Sequence, residues 1–203
     1  MNFDRVLVLS PHTDDGELGA GGTIAKLLEN GSEVHYIAFS VPRDELKLEC
    51  ERALSIFKQK EWKIHIHTLN FETREFPRQR QKILQKLHDL KMEYPPDLVL
   101  TPSTKDNHQD HQVVTREAIR IFKQCTLLGY ELPWNVIIFI ENCFVRIEDR
   151  HLQLKIGALS QYYSQNNRHY FSPEYIRAVA YSRGGQIGGG YAEAFEVIKI
   201  FYE

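Results

Sequence analysis

The stretch Val6-Leu7-Val8-Leu9-Ser10-Pro11-His12-Thr13-Asp14-Asp15 joins an apolar run to a turn that carries one imidazole and two carboxylates. The apolar run predicts a buried strand, and the amphipathic run over 18–28 predicts a helix after the turn. The turn therefore lies at the carboxyl end of a first strand, where open α/β sheets bind their ligands. Because such a polar cluster is costly to bury without compensation, the stretch predicts a divalent metal site.

Strand-like and helix-like segments alternate up to about residue 125. The strand-like segments are 3–10, 33–40, 62–69 and 97–101, and the helix-like segments are 18–29, 43–58, 77–92 and 111–125. Such alternation favours right-handed βαβ units. The sequence therefore predicts an α/β fold, namely one Rossmann-like domain over 1–203 with a mostly parallel sheet and helices on both faces.

The last third of the chain has a different pattern. The apolar runs 134–140 and 143–147 predict strands that pair with each other or extend the sheet. A helix is predicted over 151–163, and Ser172 followed by Pro173 is typical of a helix start. The glycine-rich segment 183–190 predicts a loop, and 191–202 is compatible with either a strand or a short helix.

Composition limits the partners and the compartment. The 203 residues include 25 Lys and Arg against 27 Asp and Glu, a net charge of −2, which offers no general attraction to nucleic acid or to an anionic membrane. Three cysteines without a CxxC pair indicate reduced thiols. No apolar run has membrane length. We therefore expect a cytoplasmic protein without a nucleic-acid partner and without membrane insertion.

A second polar motif, His108-Gln109-Asp110-His111, follows the predicted fourth strand. Carboxyl ends of parallel strands meet at one edge of a sheet, so we expect this motif beside the first turn. Catalytic zinc commonly takes three nitrogen or oxygen ligands and leaves one position for water. His12, one of the two aspartates and His111 satisfy that count.

The remaining polar side chains of the two motifs have roles that this chemistry needs. Zinc lowers the pKa of bound water to about 7, and the aspartate that is not a ligand is free to take the water proton. His108 is expected near the metal as an acid–base or oxyanion partner, and Asp110 can orient a histidine ring. Either motif alone is more often a solvated turn, a helix cap or surface polarity. Their joint position after two strands favours a site.

The paired motifs resemble those of the PIG-L/LmbE-like N-acetylglucosaminyl deacetylases. The matching residues are Pro11-His12-Thr13-Asp14-Asp15 with Gly21-Gly22, and His108-Gln109-Asp110-His111; the closing segment 191–195 is also similar. That family is zinc-dependent, has a Rossmann-like fold and removes acetyl groups from amino sugars, including those of mycothiol and bacillithiol synthesis. The resemblance implies zinc on His12, Asp15 and His111, with Asp14 as the general base. It also implies that His108 is a protonated partner of the tetrahedral intermediate or the leaving amine.

Four positions depart from the pattern of that family. Thr13 and Gln109 stand where prolines are usual, Gly16 stands where the first motif has a glutamate, and Asp106 stands where some relatives carry a tyrosine. Glu17 is expected either to replace that glutamate in part or to act only as an acidic partner of the helix dipole. None of these changes removes a proposed ligand.

Arginines are the candidate contacts for the rest of the substrate. A phosphate or nucleotide tail needs cations, and Arg43 follows the second strand, where it faces the expected pocket. Arg74, Arg78 and Arg80 flank the third loop, and Arg183 lies in the glycine-rich segment. Each is also readable as an ordinary surface arginine.

Two aromatic residues offer faces on which a sugar could stack. They are Tyr130 and Trp134, although core or rim packing is the commoner role for such side chains.

The sequence thus predicts a metal-dependent hydrolase that removes the acetyl group of an N-acetylated amino sugar or its nucleotide, lipid or glycoside conjugate. Another short acyl group, such as formyl, fits the same chemistry, and iron(II) suits these ligands as zinc does. Relatives often form oligomers, so the resemblance allows a homo-oligomer, although the sequence itself does not fix the oligomeric state. A nucleotide-binding module is the alternative, but Gly19-Ala20-Gly21-Gly22 lacks GxGxxG spacing and the two aspartates would repel a pyrophosphate.

Two further alternatives fit the motifs less well. An aspartate-nucleophile phosphotransferase needs an aspartate directly after the first strand in a DxD arrangement, and His12 occupies that region. A purely structural zinc usually has four ligands rich in cysteine, and no cysteine neighbours either motif.

Overall fold

One mixed sheet organises the part of the chain that the computed structural model describes, residues 3–59 and 61–202. Its strands are β1 (Arg5–Ser10), β2 (Glu33–Ala38), β3 (Lys63–Thr68), β4 (Leu98–Pro102), β5 (Thr126–Tyr130), β6 (Cys143–Ile147) and β7 (Tyr191–Lys199). The order is β3-β2-β1-β4-β5-β7-β6. The first five strands are parallel, and β7 is antiparallel to both β5 and β6. The predicted α/β fold with a mostly parallel sheet is confirmed.

Helices cover both faces of this sheet. They are α1 (Asp15–Glu29), α2 (Asp44–Ser55), α3 (Phe76–Glu93), α4 (Gln109–Ile121), α5 (Asp149–Leu159) and α6 (Pro173–Gly185). Alternate residues of β1 point to opposite faces: Val6 and Val8 join a core with α1, α2, α5 and α6, whereas Leu7 and Leu9 join one with α3 and α4. Burial on both faces explains why the parallel strands read as continuous apolar runs.

The chain order in the sheet creates the place for a site. β1 pairs with β2 on one side and with β4 on the other, in parallel, so connections leave the centre of the sheet in opposite directions. The helices that follow β1 and β4 therefore lie on opposite faces of the sheet, and the two loops border a crevice at its carboxyl edge. Crevices at such switch points are where open α/β sheets bind ligands.

The closing strand is tied to the first helix. α1 is kinked at Ala20, and the backbone N–H groups of Gly22 and Thr23 donate to the carboxylate of Glu193 on β7 at 3.0 and 2.6 Å. The ammonium of Lys155 lies 2.6 Å from the same carboxylate and balances its charge in the buried interior. This network ties β7 and α5 to α1.

The sequence interpretation was wrong between residues 121 and 140. The helix predicted to reach residue 125 ends at Ile121, and 126–130, for which no strand was predicted, form β5. The apolar run 134–140 is not a strand of the sheet; Val136 makes only an isolated bridge to Asp106. Ile137 and Ile138 are exposed, so apolar composition there reflects a surface loop.

The ends of other predicted elements shift as well. α5 ends at Leu159 and is followed by a short 3-10 turn, Tyr163–Gln165, instead of continuing to residue 163. The glycine-rich segment begins inside α6, which continues to Gly185. Tyr191–Lys199 resolves the last open alternative in favour of a strand.

The cysteines are free, as their spacing predicts. Cys50 and Cys125 are buried, and Cys143 is partly buried. Burial raises the pKa of each thiol, which makes the thiolate scarce at neutral pH.

Across residues 3–59 and 61–202, no helix combines the length and the apolar character needed to cross a membrane.

Candidate metal centre

The loops after β1 and β4 bring three potential ligand atoms together. His12 Nδ1 lies 3.1 Å from Asp15 Oδ2, and His111 Nε2 lies 3.2 Å from each of these atoms. Ligand atoms about 2 Å from a tetrahedral ion are about 3.3 Å apart. The donor set of two imidazoles and one carboxylate, and its spacing, therefore fit a single divalent ion.

A nitrogen of His108 also lies within 4.8 Å of nitrogens of His12 and His111, which offers a second combination of three ligands. Asp15 Oδ2, in contrast, lies only 3.1 Å from His12 Nδ1 and 3.2 Å from His111 Nε2. In addition, His108 Nδ1 accepts the backbone N–H of Asp110 at 3.2 Å. These contacts favour the set of His12, Asp15 and His111.

Carboxylates orient both candidate imidazole ligands. His12 Nε2 lies 3.2 Å from Asp110 Oδ2, and His111 Nδ1 lies 2.8 Å from Asp106 Oδ2. Each carboxylate accepts a hydrogen bond from the outer ring nitrogen, so that a ring in its neutral form presents the lone pair of its inner nitrogen to a cation. Such partners fix the ring orientation and raise the basicity of a metal-binding histidine.

Asp110 also connects a third loop to the centre. Its carboxylate accepts the backbone N–H groups of Arg74 and Phe76 at 2.6 and 3.3 Å, in addition to its contact with His12. Arg74 adopts a φ of 71°, which is uncommon for a residue other than glycine. One buried carboxylate thus fixes the loop after β3 against the loop after β1.

Asp106 was not predicted as a site residue. It is 2 % exposed, and besides orienting His111 it accepts the backbone N–H of His108 at 2.8 Å. The only sequence signal was a carboxylate five residues before a candidate ligand, at a position that differs from some relatives. Its role depends on how the loop folds back on α4, which local sequence does not specify.

The electrostatics of the cluster favour a cation. Burial alone lowers the pKa of His12 and His111, but Asp15 with Asp110 raises the first to about 10, and Asp15 with Asp106 raises the second to about 9. Burial raises the pKa of Asp15, but the two rings lower it well below its usual range. Three carboxylates around two imidazoles thus stabilise positive charge between them.

Asp14 occupies the N-cap position of α1, yet its side chain makes no capping hydrogen bond. The carboxylate lines the cavity beside the candidate ligands. Burial and the neighbouring Asp15 raise the pKa of Asp14 to about 6, an effect that His12 partly offsets. A carboxylate with this pKa is suited to accept a proton near neutral pH.

His108 is the N-cap residue of α4 and uses a ring nitrogen as the cap. Because Nδ1 accepts the N–H of Asp110, the ring carries its proton on Nε2. Burial and the rings of His111 and His12 lower the pKa of His108, so a neutral ring is favoured at pH 7. The site therefore has a neutral N–H donor where the resemblance implies a protonated one.

Glu17 anchors the first loop from beneath and does not line the cavity formed by the described residues. It is fully buried and accepts the hydroxyls of Tyr36 and Tyr162, the latter at 2.7 Å. Tyr162 also contacts the carbonyl of Thr13 at 2.7 Å. A Cβ at Gly16 would lie 2.6 Å from the Tyr36 ring, so a larger residue at this position would require that ring to move.

A cavity of ≈ 390 Å³ opens over the candidate ligands. Arg43 lines it, as do Arg74 and Arg168, of which Arg168 was not predicted. At the rim, the rings of Trp134 and Tyr170 stack with centroids 3.9 Å apart and planes at 10°. The cavity thus combines cations and an aromatic face with the polar cluster at its floor.

Three predicted substrate arginines lie elsewhere. Within the described part of the chain, Arg78, Arg80 and Arg183 are not part of the cavity lining. Each forms an ion pair instead, with Glu75, Glu117 and Glu131 respectively. Arg78 is exposed on α3, and Arg183 lies on α6 instead of in a loop.

The proposed aromatic contacts also separate. Tyr130 is completely buried in the core, and its hydroxyl donates to the carbonyl of Leu9 at 2.9 Å. Trp134 remains at the cavity, where it stacks on Tyr170. Of these two predicted residues, Trp134 is therefore the one that can contact a ligand in the cavity.

The fold and the site together define an α/β protein with a two-histidine, one-aspartate candidate metal centre at the switch point of its sheet. The model of the PIG-L family, described as GlcNAc-PI de-N-acetylase, matches residues 7–122, which is more than half of the 203 residues. The matched range contains both loops of the centre. The chain belongs to the PIG-L family.

Two sequence relatives are named as deacetylases, and a solved structure of another activity has a similar fold. The uncharacterized deacetylase YaiS of Escherichia coli (strain K12) is 28% identical over 176 residues, covering 78% of this chain and 90% of its own. The diacetylchitobiose deacetylase of Thermococcus kodakarensis is 26% identical, covering 96% and 83%. The crystal structure of GalB, the 4-carboxy-2-hydroxymuconate hydratase of Pseudomonas putida KT2440, has a TM-score of 0.80 at 21% identity, covering 98% of each chain. Because this fold also supports a hydratase, activity has to be argued from the site.

Proposed function

We propose that this protein is a metal-dependent deacetylase that hydrolyses the acetamide of an N-acetylated amino sugar or of its conjugate. The observation that carries the proposal is the triangle of His12, Asp15 and His111, with Asp14 and His108 beside it in the cavity. The names of the curated relatives support a deacetylase.

His12, Asp15 and His111 would hold the ion, and their imidazole and carboxylate donors suit zinc or iron(II). When bound, such an ion lowers the pKa of water to about 7 and polarises a carbonyl oxygen. Asp106 and Asp110 hold the two rings with their inner nitrogens directed at one point. The protein thus contributes two imidazole rings that are already oriented by hydrogen bonds.

Asp14 is the general base of this reaction. Its carboxylate has a pKa of about 6 and is not needed as a helix cap, so it is free to accept a proton from the attacking water. The water oxygen bonds to the acetyl carbon, and the carbon–nitrogen bond then breaks. The proton held by Asp14 passes to the departing nitrogen, which leaves as the amine. The second water proton stays on the new carboxyl group, and the released acetic acid loses it to solvent to give acetate.

His108 stabilises the negative charge that develops on the acetyl oxygen. Its Nε2–H is the ring proton that remains after Nδ1 has capped α4. A neutral donor held by a helix N-terminus is already oriented before the substrate binds. Removal of one such donor typically costs about 10²–10³ in rate.

The cavity above the centre fits a sugar with an anionic or polar extension. Trp134 stacks on Tyr170 at the rim, and an aromatic face of this kind can pack against the apolar face of a sugar ring. Arg43 and Arg168 provide cations on the cavity wall. These contacts support a glycoside or phosphorylated conjugate in place of a bare hexosamine.

A nucleotide-binding module in the first turn is a weaker candidate. A phosphate at the N-terminus of α1 would approach Asp14 and Asp15, whose carboxylates occupy the start of that helix. Negative side chains at this point repel the anions that helix N-termini otherwise attract.

The test is a substrate panel that reports free amine. Protein freed of metal with a chelator is reloaded with zinc and incubated with N-acetylated and N-formylated hexosamine conjugates. We expect amine release that requires the added zinc and favours the acetyl series. Faster release from the formyl series would show that formyl, not acetyl, is the preferred acyl group. Absence of release from every conjugate by zinc-loaded protein would refute the proposed deacetylase.

A further inference from the structure

A second cluster of metal-binding side chains lies on the edge strands β2 and β3. His35 and His65 are paired residues in the register of the two strands, and Glu33 begins β2 on the same face. This face packs against α3, and Tyr94 at the end of α3 covers His35 with ring centroids 4.0 Å apart. The cluster belongs to the amino-terminal half of the strands, whereas the candidate metal centre lies beyond their carboxyl ends.

The potential ligand atoms of this cluster converge. Glu33 Oε1 lies 3.4 Å from His35 Nε2 and 3.2 Å from His65 Nε2, and one ligand atom from each residue lies within 4.8 Å of the others. The two rings are nearly parallel, with planes at 22° and centroids 4.7 Å apart. Arg5 holds the other carboxylate oxygen at 3.2 Å, which leaves Oε1 directed at the rings.

The burial and hydrogen bonding of His35 give an independent observation that points to a ligand. The residue is 2 % exposed, and its Nε2 is buried without a hydrogen-bond partner among the described residues. Its other nitrogen, Nδ1, lies 3.1 Å from His67 Nε2. If Nδ1–H donates to His67, Nε2 presents a lone pair to the Glu33 carboxylate, so that two acceptors face each other. Buried polar atoms are rarely left unsatisfied, and a cation between them would satisfy both.

We propose that Glu33, His35 and His65 form a second divalent metal site, distinct from the centre of the proposed deacetylase. Imidazole and carboxylate donors select a transition metal such as zinc over magnesium or calcium. His67 would orient His35 as carboxylates orient histidine ligands at other metal sites. Because half of the His65 side chain is exposed, an ion has access from solvent and keeps positions for water.

The ion would join the edge strand to the sheet. Among the strands of the described residues, β3 pairs with β2 alone, and the three ligands span this pairing. A ligand that binds the folded chain and not the unfolded chain stabilises the fold by mass action. The alternative is a hydrogen-bond chain in which a proton on His35 Nε2 faces Glu33 and no metal binds.

Zinc stoichiometry distinguishes the two arrangements. The intact protein, freed of metal, is dialysed against zinc alone, and the bound ion is counted by elemental analysis for the wild type, His65→Ala and Glu33→Gln. The matched control is His88→Ala, whose side chain is 55% exposed, as against 50% for His65. We expect His65→Ala and Glu33→Gln each to bind one zinc fewer per chain than the wild type and His88→Ala.

The comparison between variants does not depend on the first centre, because that centre is the same in all four proteins. Loss of one equivalent in both ligand variants supports the second site even if the deacetylase proposal fails. A further expectation is that excess zinc raises the Tm of His88→Ala more than that of His65→Ala. Equal zinc counts in the wild type and His65→Ala would overturn the proposal and leave the hydrogen-bond chain.

Discussion

Asp14→Asn is the substitution that separates a catalytic carboxylate from a structural one. The change keeps the shape of the side chain and removes its charge and its ability to accept a proton. A positioned general base contributes about 10²–10⁴ to a rate. We therefore expect kcat/KM to fall by that factor, while bound metal is unchanged because Asp14 is not one of the three converging ligands.

The same substitution should stabilise the metal-free protein. Burial and Asp15 raise the pKa of Asp14 from 3.8 to about 6, so the folded chain holds this proton more tightly than the unfolded chain does. Stability is then lost as the pH rises from 3.8 to 6 and stays lower above that range. A shift of about two pKa units corresponds to about 3 kcal/mol, or roughly 6–12 °C in Tm for a chain of this size.

Two assays check the pair of effects. Amine release is followed from pH 5 to pH 8, and Tm is measured at pH 7 in the presence of a chelator. The wild type should show an acidic limb at or below about pH 6, since a bound cation lowers the pKa of a nearby carboxyl group. Asp14→Asn should lose this limb and melt at a higher temperature.

The combination is what makes the test decisive. If the carboxylate were structural, its replacement would lower the Tm. If it is a base held in an unfavourable environment, its replacement raises the Tm and lowers the rate. Undiminished activity in Asp14→Asn would remove Asp14 as the base. A lower Tm with retained activity would show that the carboxylate supports the loop.

Four further substitutions test the parts around this base. His111→Ala should lose one bound zinc per chain by elemental analysis, and an unchanged zinc count would remove it as a ligand. Asp106→Asn should weaken zinc affinity about 10–100-fold in a competition assay with a chromogenic chelator, because His111 loses its orienting carboxylate. Gly16→Ala places a Cβ 2.6 Å from the Tyr36 ring and should cost about 1–3 kcal/mol of unfolding free energy in urea. Trp134→Phe should raise KM more than it lowers kcat for sugar conjugates that carry no aromatic group, and an effect on kcat alone would refute a role in binding.

The sequence was sufficient to predict the parallel strands β1 to β4, but not β5 and the segment that follows it. Strands β1 to β4 are separated by recognisable helices, so the alternation in the sequence predicts them. β5 follows α4 after a four-residue turn and is only five residues long, Thr126–Tyr130, so its apolar residues read as part of the preceding helix or loop. The run 134–140 misleads for the opposite reason, since its apolar side chains include exposed ones.

The candidate ligands were predictable because both motifs directly follow strands that turn out to be neighbours. Asp106 and Arg168 were missed because their places in the site depend on how separate segments of the chain meet, and local sequence carries no period or spacing for such contacts. The substrate arginines illustrate the limit. Arg43 lines the cavity, whereas Arg80, equally close to a loop in sequence, pairs with Glu117 on a neighbouring helix.

The charges around the centre favour positive charge between the carboxylates, which either protons or a metal ion can supply. Without one, His12 and His111 keep protons, because Asp15 and their outer carboxylates raise their pKa values to about 10 and 9. Two such protons would lie close together, since the inner nitrogens are 3.2 Å apart and share one acceptor oxygen on Asp15. A divalent ion supplies the same positive charge from a single point and removes the repulsion between the two N–H groups. Metal binding must therefore compete with protons, and the site should fill as the pH rises toward neutrality, in the range where the base Asp14 is ionised.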